Sequence, residues 1–113
     1  MSISQITTHV LDSTVGRPAA GVAVELFARH EGGWRLVGTG RTDADGRAKQ
    51  LGPASVPAGE YRLRFDTGAW FAAQDIPTFY PEVQLTFLVE EEGRHYHVPL
   101  LLSPFAYSTY RGS

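Results

Sequence analysis

Short runs of period two constrain this chain more than any other feature. Val22, Val24, Leu26 and Ala28 alternate with Ala23, Glu25, Phe27 and Arg29. Tyr61, Leu63 and Phe65 alternate with Glu60, Arg62, Arg64 and Asp66. Val83, Leu85, Phe87 and Val89 alternate with Glu82, Gln84, Thr86 and Glu90, with Leu88 out of phase. Trp34, Leu36 and Gly38 alternate with Arg35, Val37 and Thr39. One apolar and one polar face is what a half-buried antiparallel strand needs. Turn signals separate the runs: Arg17–Gly21, Glu31–Gly33, Asp43–Gly46, Pro57–Gly59 and Glu90–Gly93, with Glu90, Glu91 and Glu92 read as a solvated loop.

Further strands are expected at Ser4–Asp12, Arg94–Leu102 and Phe105–Arg111. Seven or eight short strands in about one domain's length, 113 residues, predict an all-β two-sheet sandwich. Gly68–Asp75 is rich in helix formers and is closed by Pro77, which predicts one short helix. No linker or repeat divides the chain, so residues 1–113 read as a single domain. A chain of this size buries roughly two thirds of its unfolded surface, enough for one core.

Composition removes several function classes. There is no cysteine, hence no disulfide, thiolate nucleophile or Cys-ligated zinc. The net charge of −2 lacks the basic excess of a nucleic-acid binder. No apolar run is long enough to span a bilayer, and the N-terminus has no secretory pattern, so no membrane partner and a cytoplasmic location are expected. Arginine dominates the cations, with Lys49 the single lysine.

Candidate chemistry sits on the outward strand faces. Ile6 and Val10 suit the core, which turns His9 and Leu11 outward. On the late strand Tyr96, Val98, Leu100 and Leu102 form one face, and His95, His97, Pro99 and Leu101 the other. Leu beside His on an outer face suggests a cleft or a subunit contact rather than bulk water. His9 and His97 share a cleft if their strands are neighbours, and imidazole is the side chain best matched to proton transfer near neutrality. His95 and His97 also have the spacing of two metal ligands on one strand, although a third ligand is not evident. Asp43-Ala44-Asp45-Gly46 resembles part of a calcium loop, but as a hairpin turn it needs no ion. Arg47, which follows it, is either a solvated charge or a fork aimed at a substrate carbonyl or anion. Tyr107–Tyr110 reads as strand, and a strand followed at once by the ending Arg111-Gly112-Ser113 suggests that this tail has a place in the structure.

Four segments together resemble the 5-hydroxyisourate hydrolase family, the transthyretin-related enzymes of uric acid degradation. They are Thr8–Asp12, Thr42–Arg47, His95–Pro104 and the ending Tyr107–Ser113, whose Tyr-Arg-Gly-Ser is the most specific. The resemblance runs from about Gln5 to Ser113. It implies a transthyretin-like β-sandwich of about eight strands with one short helix, assembled as a homotetramer, a dimer of dimers with a central channel. It implies hydrolysis of a small-molecule substrate, 5-hydroxyisourate, to 2-oxo-4-hydroxy-4-carboxy-5-ureidoimidazoline, without metal or other cofactor. The family's catalytic residues correspond to His9, Arg47 and His97, and its substrate-binding residues to Tyr110, Arg111, Gly112 and Ser113. In that scheme the histidines activate water, Arg47 stabilises charge on substrate oxygens, and the tail shapes the pocket floor. The carrier transthyretin shares the fold without that ending or the His/Arg/His set. A non-catalytic small-ligand carrier is therefore the alternative reading.

Overall fold

The computed structural model describes residues 3–90 and 93–113. Glu91 and Glu92 of the expected acidic loop, and Met1 and Ser2, lie outside the described residues. The strands are β1 (Ile6–Asp12), β2 (Arg17–Pro18), β3 (Ala23–His30), β4 (Gly33–Arg41), β5 (Arg47–Ala48), β6 (Gly59–Phe65), β7 (Val83–Val89), β8 (Tyr96–Leu102) and β9 (Tyr107–Thr109); helix α1 (Thr67–Ala72) lies between β6 and β7. The expected all-β sandwich with one short helix is what forms. Two two-residue strands, β2 and β5, were hidden within or beside turn signals.

One sheet runs β4-β3-β6-β7, antiparallel throughout. The other runs β2-β1-β8-β9, with β5 also paired to β1. Its centre is a parallel pair, β1 beside β8, in the register Ile6–Tyr96 to Asp12–Leu102. The alternating residues meet between the sheets: Val22, Val24, Leu26, Leu63, Phe65, Val83, Val89, Ile6, Val10 and Leu100 are all buried. Removing these side chains from water is the main favourable term for a fold without disulfides.

Three elements depart from expectation. On β4 the phase reverses: Leu36 is 51% exposed, whereas Val37 packs on the core. The cause is a bulge, for Leu26 pairs with Gly38 and Phe27 with Leu36, leaving Val37 as the extra residue. The helix starts one residue early and stops at Ala72, because Asp75 turns into the left-handed region (φ 58°) and Ile76 N–H caps the Phe71 carbonyl. The expected strand Phe105–Arg111 contracts to Tyr107–Thr109, for a reason found in β8. Pro99 has no N–H for the ladder, and its carbonyl takes the Thr109 hydroxyl instead (2.7 Å). Beyond this gap the tail rejoins β8 in unchanged register, through a bridge between His97 and Gly112.

Candidate active site

The parallel pairing of β1 with β8 answers the conditional left by the sequence. Thr7 lies opposite His97, and His9 lies opposite Pro99 on one side and Arg47 of β5 on the other. Side chains of like parity on three adjacent strands therefore share the outer face of this sheet. The His9 and His97 rings are 6.4 Å apart between centroids, and those of His95 and His97 are 6.1 Å apart. Thr7 Oγ1 lies 2.8 Å from His97 Nδ1 and 2.8 Å from His95 Nε2. Ile3, Thr7, Thr8, Arg47, Lys49, His95, His97 and Ser113 line an open pocket of about 170 Å³.

Arg47 is presented by the turn that resembled a calcium loop. Asp43 Oδ1 accepts the N–H groups of Asp45 (2.9 Å) and Arg47 (3.0 Å). The Arg47 N–H bond is the main reason that the Asp43 carboxyl is held below the usual carboxylate range. Gly46 completes the turn at φ 76°, where a Cβ would stand 2.4 Å from the Val10 carbonyl oxygen. The carboxylate thus organises its own loop, which is the hairpin reading of the segment.

His97 is pushed below the ordinary imidazole value. Burial is the leading cause, and the positive charges of Arg47, His95 and His9 act in the same direction. The shift favours the neutral imidazole. Gly112 N–H donates to the His97 carbonyl (2.8 Å), and a Cβ on Gly112 would lie 2.8 Å from His97 Cδ2. The tail backbone therefore rests on the imidazole edge at a distance that only glycine permits.

Within a single chain, His97, Arg47 and Ser113 share the pocket, His9 stands beside His97, and Gly112 packs on it. Arg111 and Tyr110 line an adjoining pocket, which His97 also lines. The Arg111 guanidinium sits 4.8 Å from the centre of the Tyr96 ring, and both tail residues line a second pocket of about 480 Å³ with Leu85, Phe87, Leu88 and Glu90. Among the described residues no group of three or more His, Cys, Asp or Glu is arranged to hold a metal ion. Sequence reasoning passed over Thr7 and Lys49 as site residues. Period two offered the signal for both, since Thr7 shares a strand face with His9, and Lys49 follows Arg47 by two. No helix is long and apolar enough to cross a membrane among the described residues.

A two-sheet sandwich carrying two histidines and an arginine on one sheet's outer face defines a transthyretin-like domain with a polar site. The HIUase/Transthyretin family model matches residues 6–112. The chain belongs to this family. It is similar to the 5-hydroxyisourate hydrolase of Salmonella dublin, 47% identical over 109 residues, covering 96% of this chain and 80% of that one. Among solved structures, Klebsiella pneumoniae 5-hydroxyisourate hydrolase superposes with a TM-score of 0.83 at 40% identity, covering 96% of this chain and 98% of that one. Transthyretin from Sparus aurata superposes with a TM-score of 0.89 at 37% identity, covering 96% of each. Backbone similarity alone does not separate enzyme from carrier, so the side chains of the site must.

Proposed function

We propose that this chain hydrolyses 5-hydroxyisourate to 2-oxo-4-hydroxy-4-carboxy-5-ureidoimidazoline, using water activated by His97 and His9. The protein is an enzyme of the 5-hydroxyisourate hydrolase class, the name shared by relatives from Salmonella, Caulobacter and mouse. The observation that carries the mechanism is the cluster of His9, His97 and Arg47 on three neighbouring strands. Ring opening needs a base for water, a counter-charge for the oxyanion and a proton for the departing nitrogen.

In our reading neutral His97 takes the proton from water as the oxygen adds to the ring acyl carbon. Arg47 faces the negative charge that grows on the carbonyl oxygen. The acyl–nitrogen bond then breaks, and the nitrogen receives a proton from the imidazole pair, with His9 the second member. Ser113 lines the pocket, and Gly112 fixes the His97 ring. Tyr110 and Arg111 complete the substrate-binding tail in the proposal from the adjoining pocket.

Assembly as a homotetramer belongs to the same reading. It is supported by the edge strands β7 and β9 and by the exposed apolar side chains of Phe79, Leu88 and Phe105. A cytoplasmic site of action is part of the proposal.

The carrier reading has the transthyretin superposition in its favour. Against it, an apolar ligand gains nothing from two imidazoles and a guanidinium in its pocket. Stopped-flow ultraviolet decay of freshly generated 5-hydroxyisourate separates the two. Wild type should accelerate the decay strongly over the spontaneous rate, and His97→Ala and Arg47→Ala should each lose most of that acceleration while folded. A folded wild type without acceleration would reject the enzyme reading. Variants with full turnover would reject the mechanism.

A further inference from the structure

Thr7 and His95 have no part in the hydrolytic scheme above, yet they are tied to it. A threonine hydroxyl has one proton to donate. Thr7 Oγ1 stands 2.8 Å from two imidazole nitrogens, His97 Nδ1 and His95 Nε2. It can donate to only one of them, so with both bonds made the other nitrogen must donate to it. One and only one of the two facing nitrogens then carries a proton.

We propose that Thr7 links His95 to His97 as a tautomer relay, with both as positioning residues that set whether His97 presents a base or an acid to the substrate. In one state His97 Nδ1–H donates to Thr7, and Thr7 donates to His95 Nε2. His97 Nε2 then carries a lone pair and is the base. In the other state His95 Nε2–H donates to Thr7, and Thr7 donates to His97 Nδ1. His97 Nε2 then carries a proton and is an acid.

Proton bookkeeping closes through the same three groups. When His97 Nε2 takes a proton from water, the ring becomes cationic with Nδ1–H still directed at Thr7. Passing that Nδ1 proton to Thr7, while Thr7 passes its own to His95 Nε2, leaves His97 neutral with Nε2–H and His95 cationic. His97 is then ready to protonate the leaving nitrogen. As His97 Nε2 gives its proton to the leaving nitrogen the relay runs back: His95 passes its Nε2 proton to Thr7 and Thr7 passes its own to His97 Nδ1, so one proton has been taken from water, one delivered to nitrogen, and the first state is restored.

The surroundings favour a hydroxyl in this position. His97 is faced by His9 from β1, by Arg47 from β5 with Lys49 beyond it, by His95 on its own strand and by the tail at Gly112 and Ser113. No Asp or Glu side chain lines the pocket among the described residues. A carboxylate behind a histidine base fixes one tautomer, whereas a hydroxyl can reverse its direction. The low proton affinity of His97 agrees with a base that hands its proton onward.

The relay rests on the hydrolase reading for its role, but it is tested without it. The ring nitrogens of uniformly labelled wild type, Thr7→Val and Thr7→Ser are assigned by proton–nitrogen correlation NMR at alkaline pH. The same proteins are assayed for kcat and KM on 5-hydroxyisourate. Wild-type His97 should be protonated at Nδ1, and Thr7→Val should shift it towards Nε2–H. The kcat of Thr7→Val should fall by about tenfold or more, part of the ~10²–10⁴ that a positioned base contributes, with KM little changed. Thr7→Ser should restore both. A Thr7→Val protein with the wild-type tautomer, or with wild-type kcat, overturns the relay. If Thr7→Val does not fold, His95→Phe at its exposed position serves instead: His97 should then lose its single tautomer, and an unchanged one overturns the proposal. Wild type inactive on 5-hydroxyisourate would reject the hydrolase reading, with the NMR still deciding the relay.

Discussion

Replacing Gly112 by alanine probes the contact between the tail and the imidazole. A Cβ there would meet His97 Cδ2 at 2.8 Å, the His97 carbonyl oxygen at 3.2 Å and Pro99 Cγ at 3.2 Å. Carbon atoms prefer about 3.5–4.0 Å, so roughly 0.7–1.2 Å must be found. All three neighbours belong to β8, so the tail must lift away or the ring must tilt. Lifting stretches the Gly112–His97 backbone bond from 2.8 Å, at a cost of about 0.5–1.5 kcal/mol. Tilting the ring disturbs the Thr7 contact instead. Tilting moves the imidazole, and lifting takes Ser113 and the ring's support away from it, by close to 1 Å in each case, a misplacement that costs about 10²-fold in rate. Gly112→Ala should therefore lose about two orders of magnitude in kcat/KM, while chemical denaturation reports a stability change near 1 kcal/mol. Decay of 5-hydroxyisourate followed beside an unfolding curve measures both. A variant within twofold of wild-type kcat/KM would refute the claim that this contact positions His97.

Other outcomes follow from the same structure. Asp43→Ala removes the acceptor that orients the Arg47 turn and should raise KM several-fold; because the native Asp43 pKa is lowered, its stabilisation is present above about pH 4 and lost as pH falls through the native value, so the stability difference between wild type and variant should shrink as the solution is acidified. Arg47→Ala removes one cause of the low His97 pKa, and an NMR titration should show His97 protonating at higher pH than in wild type. With the native His97 value below the ordinary 6.5, its contribution to stability should be full above about pH 6.5 and should decline as pH falls towards the native value, which denaturation at stepped pH measures. Leu63→Ala empties a fully buried position between the sheets and should cost about 2–5 kcal/mol in denaturation at fixed protein concentration.

Period two was a faithful guide wherever a strand kept its ladder regular. On β3, β6 and β7 the phase of Val24, Leu63 and Val83 matches the buried face. It failed on β4 because a bulge adds one residue and reverses every face beyond it, and Val37 carries no local mark of that. The helix was visible from composition, but its end depends on a left-handed Asp75. The histidines and Arg47 were legible as outward polar groups on short strands and as residues of a family motif. Their convergence was not, since His9 and His97 meet through strands at opposite ends of the sequence. Nor was the division of the tail, with Ser113 at the histidines and Arg111 on Tyr96.

The parallel pairing of β1 and β8 also governs how the protein comes into being. The hydrogen bonds that join Thr7 with His95 and His97 close loops of 88 and 90 residues. The entropic cost of such closure is met before any contact at the site repays it. Hairpins such as β3–β4 can form among neighbours in sequence, but this sheet centre must wait until both ends of the chain are in hand. In a refolding experiment, recovery of catalysis should therefore trail recovery of strand signal. No fragment ending before β8 can contain the site, so turnover reports a completed chain.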